Sequence, residues 1–221
     1  MMVKRFEKLV AVFGLVALMA GCAAPTKNID YSAFKASKPR SILVLPPLNE
    51  SPDVDATHGV LAQVTQPLAE AGYYVMPVAL VDETFRQNGL TVPADIFNVQ
   101  AAKLHDIFGA DAALYITVKD YGTKYMVLDS ATVVSATARL VDLRSGAELW
   151  VGEARATSKE IANASGGGLI GALVIAAVRQ IVESTNDTGF KVAGITSTRL
   201  LSAGQPGGLL YGPRSPKYGT D

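Results

Sequence analysis

The chain lacks most of the residues from which enzymes build a reaction centre. Its 221 residues contain one cysteine, two histidines and one tryptophan. A single cysteine cannot form an internal disulfide, so the fold must be stable without one. Neither histidine stands at the spacing of a zinc motif, and the G-x-S-x-G motif of a nucleophile elbow is absent. The sequence therefore indicates no catalytic residue, no metal site and no cofactor.

Net charge is also lacking, because 20 Lys and Arg balance 20 Asp and Glu. Three basic residues and one acidic residue lie in the first 21 positions, which leaves 17 basic and 19 acidic residues after them. Proteins that bind nucleic acid usually concentrate basic residues in a patch or along one element, and no basic stripe occurs along this sequence. Nucleic acid is therefore not expected as a partner.

The one cysteine, Cys22, ends the stretch L-M-A-G-C near the N-terminus. Three basic residues stand within the first eight positions, and an uncharged apolar run follows from Leu9 to Ala20. This is the layout of a secretory signal peptide, and the run is shorter than the roughly 20 residues that a membrane span needs. L-M-A-G-C resembles the bacterial lipobox, in which the cysteine thiol receives a diacylglycerol and a peptidase then cuts between Gly21 and Cys22.

The lipobox resemblance predicts that residues 1–21 are removed and that Cys22 anchors the protein to a membrane through acyl chains. Each buried methylene contributes roughly 0.8 kcal/mol, so two or three chains hold a protein stably. Ala23 follows the cysteine, whereas Asp is the usual inner-membrane retention signal at this position in Gram-negative lipoproteins. We therefore expect the outer membrane, with the domain in the periplasm or at the cell surface.

Residues 22–39 are small and polar and predict a lipidated tether. Whether its aromatic residues, Tyr31 and Phe34, dock on the domain is left open by the sequence. A single α/β domain is expected over residues 40–203, followed by a tail rich in glycine and proline over residues 204–221. Leu209, Leu210 and Tyr211 are the candidates for holding this tail against the domain.

The first half of the domain alternates strand and helix patterns. A strand at Ser41–Pro47, a helix that carries Leu61 to Ala71 and a strand at Tyr73–Met76 form a predicted βαβ unit. Pro67 is expected to kink or break its helix. Further helices are predicted at Val78–Gln87 and Val99–Phe108, the latter with Ala101, Leu104, Ile107 and Phe108 on one stripe, and a third strand at Ala112–Lys119.

The second half begins with two long β patterns, Lys124–Leu143 with a bend near Asp129 and Glu148–Thr157. Gly146 supplies a hairpin turn between them, so this part of the sheet is predicted to be antiparallel. Helices are predicted at Leu169–Val182 and Phe190–Ser202. The expected fold is therefore α/β, a mixed sheet with helices packed on it.

Three weaker motifs have ordinary structural interpretations. Gly166–Gly171 matches G-x-G-x-x-G, but no strand leads into it, which favours a packed helix in the domain or between subunits over a dinucleotide site. Asp53 and Asp55 could hold calcium, although their spacing is not that of an EF-hand and a solvated loop is favoured. His58 and His105 are expected at a helix end and on a helix surface.

Several segments in their order resemble a known family of bacterial lipoproteins. These segments are I-L-V-L-P-P, A-D-A-A-L-Y-I-T-V, L-V-D-L-R-S-G-A-E-L-W, G-G-G-L-I-G-A-L-V and G-L-L-Y-G-P-R-S-P. The family is typified by a neisserial genome-derived surface antigen and is classed as a domain of unknown function. Its domain is similar to the N-terminal domain of TolB and to the periplasmic part of the secretion channel CsgG.

The resemblance implies a role in an envelope assembly or transport complex, with a CsgG-like lipoprotein and a second small lipoprotein as partners. It implies no reaction, and only Cys22 carries over with a role. We therefore predict a non-enzymatic lipoprotein anchored in the outer membrane, with a homo-oligomer left open. The alternatives are an envelope hydrolase that acts on peptidoglycan or lipid through His58 or His105, and a structural lipoprotein without a dedicated partner.

Overall fold

The computed structural model describes residues 29–126, 129–162 and 187–221. The described residues form helices and strands in the following order: α1 Ser32–Ser37, β1 Ser41–Val44, β2 Leu48–Asn49, α2 Ala56–Glu70, β3 Tyr74–Val75, α3 Val78–Gln87, α4 Pro93–Phe97, α5 Ala101–Phe108, β4 Ala112–Met126, β5 Asp129–Asp142, β6 Glu148–Thr157, α6 Ser158–Ala162 and α7 Thr188–Leu201. The helix predicted at Leu169–Val182 and the glycines of Gly166–Gly171 lie outside these ranges.

The strands form one mixed sheet in the order β3-β1-β4-β5-β6, with β2 beside β4. β1 pairs in parallel with β3 and with β4, and β2 also runs parallel to β4. The pairs β4–β5 and β5–β6 are antiparallel. The predicted mixed α/β fold is confirmed, including the parallel pairing of the first two predicted strands and the hairpin at Gly146, whose φ is 73°.

One face of the sheet, here the α2 face, is covered from β1 to β6. α2, α7 and the C-terminal tail pack on it over a continuous cluster of buried apolar side chains. Leu68 of α2, Leu114 of β4 and Leu201 of α7 are fully buried in this cluster. Burial of apolar area contributes about 25 cal/mol per Å², so this face holds much of the stabilising free energy of the domain.

On the opposite face, here the α3 face, the described helices α3, α4 and α5 cover β1 and the start of β4. Phe85 of α3, Ile96 of α4 and Leu104 of α5 pack there against Leu43 and Tyr115. Farther along β4, β5 and β6 the same face carries polar side chains, which we call the open face: Thr117, Ser135, Thr137, Arg139, Glu153 and Arg155, all half-buried or exposed. Antiparallel sheets commonly leave one face to solvent in this way.

Each long strand pair contains one irregularity of register. Val118 pairs with Ala136 and Asp120 with Ser135, so Lys119 is an extra residue in β4. Leu140 pairs with Trp150 and Val141 with Glu148, so Leu149 is an extra residue in β6. These are β-bulges, and the second explains why neighbouring Leu149 and Trp150 are both buried.

Two predicted β segments are wrong in their bounds. The strand predicted at Ala112–Lys119 continues to Met126, and the pattern at Lys124–Leu143 is divided, because Lys124–Met126 belong to β4 and β5 begins at Asp129. The predicted bend is therefore the reversal of a hairpin, in which Met126 pairs with Asp129. Alternating side chains occur on both sides of a hairpin, so periodicity alone does not locate the reversal.

The helix predictions need smaller corrections. α3 has the predicted bounds, whereas α5 begins at Ala101 and the short helix α4 precedes it. Ile107 is 45% exposed and does not belong to the buried stripe of α5. α2 is assigned as one helix through Pro67, which stands only three residues before its last residue. A proline so close to the end removes one hydrogen bond without ending the helix at that point.

The described part of the predicted tether, residues 29–39, packs on the domain, which was the outcome that the sequence left open for Tyr31 and Phe34. Phe34 of α1 is 3% exposed, and the Tyr31 hydroxyl donates to the Gly208 carbonyl at 2.5 Å. The tail is held as predicted, because Leu209 and Leu210 are buried. α1 and the tail therefore lie together beside the domain, where their aromatic and apolar side chains exclude water.

Candidate functional site

Cys22, the predicted lipid attachment site, and Gly21, which precedes the predicted cleavage, lie outside the described residues, which begin at Ile29. Lipid attachment at Cys22 therefore stays a prediction from the sequence. No helix in the described ranges has both the length and the apolar composition needed to cross a membrane.

The two histidines lie on helices that pack on opposite faces of the sheet. His58 is exposed in the first turn of α2, on the α2 face. His105 of α5 is half-buried on the other face, and its Nδ1 lies 2.8 Å from the Ala110 carbonyl oxygen. The structure therefore does not bring the histidines together, and their placement gives no support to the hydrolase alternative.

Asp53 and Asp55 take part in hydrogen bonds within their own loop. Asp53 Oδ1 accepts the Asp55 N–H at 3.0 Å, and its carbonyl accepts from Asn49 Nδ2 at 2.7 Å. Among the described residues, no group of three or more acidic, histidine or cysteine side chains is arranged to hold a metal ion. The geometry thus agrees with a solvated loop and gives no calcium site within the described ranges.

A pocket of about 290 Å³, here the apolar cleft, lies between α1 and the tail. Phe34, Tyr73, Leu210, Tyr211 and Tyr218 supply its apolar lining, and Lys35, Lys38 and Asp221 stand among them. The Tyr73 hydroxyl donates to the Leu210 carbonyl at 2.6 Å, and burial raises the pKa of this phenol above its usual value. The cleft is therefore formed by the same contacts that hold the tail.

A second and more polar pocket, of about 540 Å³, adjoins the apolar cleft at Lys38. We call it the basic pocket because four cations line it with one carboxylate: Lys38, Arg40, Arg144 and Arg214, with Asp111. All four cations are exposed. Like charges repel when they converge, so their convergence from four chain positions favours an anion in this pocket.

Asp111 connects the basic pocket to the sheet, and its charge is paired with that of Arg144. Its carboxylate accepts from Arg144 Nη2 at 2.6 Å, from the Ser41 hydroxyl at 3.0 Å and from the N–H groups of Arg40 and Ser41. Burial would raise the pKa of Asp111, but these hydrogen bonds and the Arg144 charge outweigh it and lower the pKa. Asp111 therefore stays ionised and positions the start of β1 beside the start of β4.

The outer strand β6 is the second surface of interest. It is ten residues long, and no other described strand pairs with its outer edge. Val151 is 43% exposed there, and Glu153 and Arg155 are exposed on the open face. An unpaired edge presents N–H and C=O groups that an added strand can use. Arg199 of α7 donates to the Arg155 carbonyl and so occupies one of these acceptors.

The described domain is thus a small mixed α/β unit with an unpaired outer strand and clefts beside its first helix. The crystal structure of lipoprotein GNA1162 from Neisseria meningitidis is similar to it, with a TM-score of 0.53 and 60% identity, over 66% of this chain and 100% of that chain. A protein of Neisseria meningitidis serogroup B described as "Putative lipoprotein NMB1124/NMB1162" is 55% identical over 206 residues, which cover 92% of this chain and 95% of that protein.

The family model described as "Putative lipoprotein GNA1162-like" matches residues 29–214. The chain belongs to this family. The resemblance to this lipoprotein family is therefore confirmed, and the mixed α/β fold agrees with the similar crystal structure.

The basic pocket is absent from the sequence-based predictions. Its cations stand at positions 38, 40, 144 and 214. Lys38 and Arg40 are close in sequence, in the stretch K-A-S-K-P-R, but Arg144 and Arg214 lie far along the chain from them and from each other. The hairpin turn at Gly146 is a second local signal, because it places Arg144 just after β5, which ends at Asp142. The remaining positions come together only through the packing of α1 and the tail, which one-dimensional patterns do not describe.

Proposed function

We propose that this protein is a lipoprotein anchored in the outer membrane through Cys22 and acts as a non-enzymatic component of an envelope assembly or transport complex. Family membership supports the lipoprotein part, and the L-M-A-G-C stretch with Ala23 after it supports the anchor and its membrane. The domain then lies in the periplasm or at the cell surface. Neither catalytic chemistry nor a cofactor is part of the proposal.

The observation that carries the docking role is that no described strand pairs with the outer edge of β6. An extended segment of a partner can add to such an edge, where main-chain hydrogen bonds give affinity and alternate side chains give specificity. Arg199 closes the edge near Arg155. The proposed docking segment is therefore the earlier part of β6, around Val151 and Gly152.

The proposed partners are a CsgG-like lipoprotein and a second small lipoprotein, as the family resemblance suggests. A second copy of this chain is the remaining candidate, because two outer strands can pair with each other and form a homo-oligomer. All of these occupants would cover Val151 and leave the distant helix α3 free.

Photo-crosslinking in intact cells tests the docking role. A photoreactive residue replaces Val151 in the full-length lipidated protein, and in a matched control it replaces Leu80 of α3, which is 67% exposed. We expect a defined adduct at Val151 that the Leu80 variant does not give, with mass spectrometry to identify the captured chain. The same adducts at both positions, or none at either, would contradict docking at β6.

Acyl labelling tests the anchor separately. Cells that express the protein are supplied with an alkyne-tagged palmitate, and the Cys22→Ala variant is compared with the unchanged chain. We expect label and membrane fractionation to require Cys22, and outer-membrane fractions to contain the labelled protein. Label that persists in Cys22→Ala would contradict the proposed attachment site.

A further inference from the structure

We propose that the basic pocket binds the phosphate headgroup of an anionic phospholipid in the leaflet that holds the acyl chains of Cys22. The inference rests on the proposed anchor, because the anchor is what brings the pocket to a membrane surface. It assigns to the pocket a role that is independent of docking at β6.

The charges of the pocket favour a phosphate. Asp111 is the only carboxylate in the described lining, and Arg144 and the N–H groups at the start of β1 already engage it. Lys38 and Arg40 are exposed and form no ion pair with any described residue. Positive charge in the pocket therefore exceeds negative charge. Guanidinium groups suit phosphate because their planar N–H pairs match its oxygens.

Two of the arginine side chains in the pocket are held in place before a ligand binds. The Arg214 guanidinium lies over the Tyr74 ring, 5.3 Å from its centroid, and the Arg144 guanidinium is held by Asp111. Ordering these long side chains in the free protein lowers the entropy cost of binding. A pocket of about 540 Å³ also lies within the common range for small ligands, roughly 300–1,000 Å³.

Lys38 has a backbone conformation that a lysine seldom adopts. It follows α1 with φ 49° and ψ 56°, in the left-handed region where glycine commonly ends a helix. It is the only residue other than glycine with a positive φ in the described ranges. A lysine at this position costs more free energy than glycine would, and its side chain lines the pocket, where the proposed headgroup would use its charge.

The predicted lipid anchor lies within reach of the pocket. Six residues separate Cys22 from Ile29, so the chain between them spans at most about 25 Å. α1 has six residues and is about 9 Å long, and Lys38 follows it directly. A shallow hollow beside Ile29 shares Lys35 with the apolar cleft, and the cleft shares Lys38 with the basic pocket. One continuous surface thus connects the tether to the four cations.

Calorimetric titration of the full-length lipidated protein in a non-ionic detergent tests the proposal. The probes are dihexanoyl phosphatidylglycerol, which is anionic, dihexanoyl phosphatidylcholine, which is zwitterionic, and inorganic phosphate. We expect saturable binding of the phosphatidylglycerol, at least tenfold tighter than of the phosphatidylcholine, and weakened several-fold when salt rises from about 0.05 M to about 0.5 M, because salt screens charges. Equal binding of the two lipids would overturn the proposal.

Matched double variants locate the site. Arg40→Gln with Arg214→Gln removes two charges from the pocket, and Arg86→Gln with Lys103→Gln removes two exposed charges from α3 and α5. We expect a tenfold or greater loss of phosphatidylglycerol affinity only in the first pair. Equal losses in both pairs would show nonspecific attraction and overturn the proposal.

Two further outcomes keep the test decisive. If the glutamine pair unfolds, Arg40→Lys with Arg214→Lys keeps the charge and removes the paired N–H geometry, and a loss of at least threefold is expected. An unchanged affinity in that variant overturns the guanidinium role. If inorganic phosphate binds more tightly than the phosphatidylglycerol, the proposed choice of ligand is overturned.

Photo-crosslinking at β6 in the variant with Arg40→Gln and Arg214→Gln separates this proposal from the docking role, because docking should not need the basic pocket.

Discussion

The two faces of the sheet use the same strands for different purposes. The α2 face is apolar and covered from β1 to β6, whereas the α3 face is covered over β1 and the start of β4 and becomes polar along β4, β5 and β6. Neighbouring residues of one strand therefore serve stability on one side and surface chemistry on the other. The difference shows that substitutions in the long strands must be judged by face and not by strand.

The largest expected effect is on the free energy of unfolding, and it is tested by one substitution on each face. Leu114→Ala removes a fully buried side chain from the α2 face and should lower the free energy of unfolding by about 2–5 kcal/mol. Val151→Ala, at a side chain 43% exposed on β6, should change it by less than about 0.5 kcal/mol. Denaturant unfolding of both variants measures the two values. Similar losses would remove the distinction between the faces.

The next effect concerns the tail that completes the α2 face. Gly72 has φ 99°, and a Cβ there would lie 2.4 Å from the Ser215 nitrogen and 2.8 Å from the Gly212 oxygen. Gly72→Ala should therefore cost about 1–3 kcal/mol, because it strains the backbone and displaces the tail.

Gly89→Ala is the matched control, since Gly89 has φ 77° and nothing lies within 4 Å of the position that a Cβ would take there. It should carry only the backbone strain and therefore cost less than Gly72→Ala. Thermal unfolding gives the stability of each variant, and limited proteolysis reports release of the tail. A tail that remains protected in Gly72→Ala would contradict the close packing.

Asp120 and Tyr121 allow the two faces to be compared within one strand, because they are neighbours whose side chains point to opposite faces. Asp120 accepts hydrogen bonds from Lys124 and from the Ser135 hydroxyl, and Arg155 lies 3.7 Å away. These contacts, Lys124 foremost, lower the pKa of Asp120 below its ordinary value of 3.8. Its stabilising contribution is therefore fully present above pH 3.8 and is lost as the pH falls through the lower folded value.

Asp120→Asn should thus cost up to about 1 kcal/mol at neutral pH, the range of exposed ion pairs, and nothing once the native carboxyl is protonated. Urea unfolding of both chains from pH 2 to 7 measures the difference. If the gap between the two chains does not shrink in acid, the contacts of Asp120 do not stabilise the fold through its charge.

The smallest effect is expected at Tyr121, on the α2 face. This residue is 7% exposed, and its hydroxyl has no hydrogen-bond partner among the described residues. Burial and the charges of Asp187, Asp53 and Asp55 raise the pKa of Tyr121 to about 12. Tyr121→Phe removes a buried unpaired hydroxyl, so the change should lie between zero and a gain of about 1 kcal/mol. Calorimetric melting checks it, and a clear loss would mean that the hydroxyl has a partner.

Much of the fold was predictable where a local signal suffices. The bounds of α3 at Val78–Gln87 and of β6 at Glu148–Thr157 follow from periodicity between turn residues, and Gly146 marks its own turn. The β4–β5 hairpin was predicted only as a bend near Asp129 within one long β pattern, because both of its strands alternate in the same way. α1 was missed because a six-residue helix gains its stability from packing, here of Phe34, and not from its own sequence.

The candidate sites also differ in whether a local sequence signal marks them. A lipobox is a contiguous stretch that can be read from the sequence, so Cys22 could be proposed at once. The basic pocket forms through long-range packing of α1 and the tail. Its excess of positive charge does not show in the composition, because the chain as a whole has no net charge. The outer edge of β6 lies between these cases, because the strand was predictable and its outermost place among the described strands was not.

The extra residue in β4 has a consequence for how this strand can change in length. Even-numbered residues from Ala112 to Val118 point to the α2 face, but beyond Lys119 the odd-numbered Tyr121 does so. Deletion of Lys119 alone would restore an uninterrupted ladder and keep every other side chain on its present side. Deletion of Thr117 or Thr123 would instead leave some residues of β4 on the wrong side. Length variation of β4 among relatives is therefore expected at Lys119.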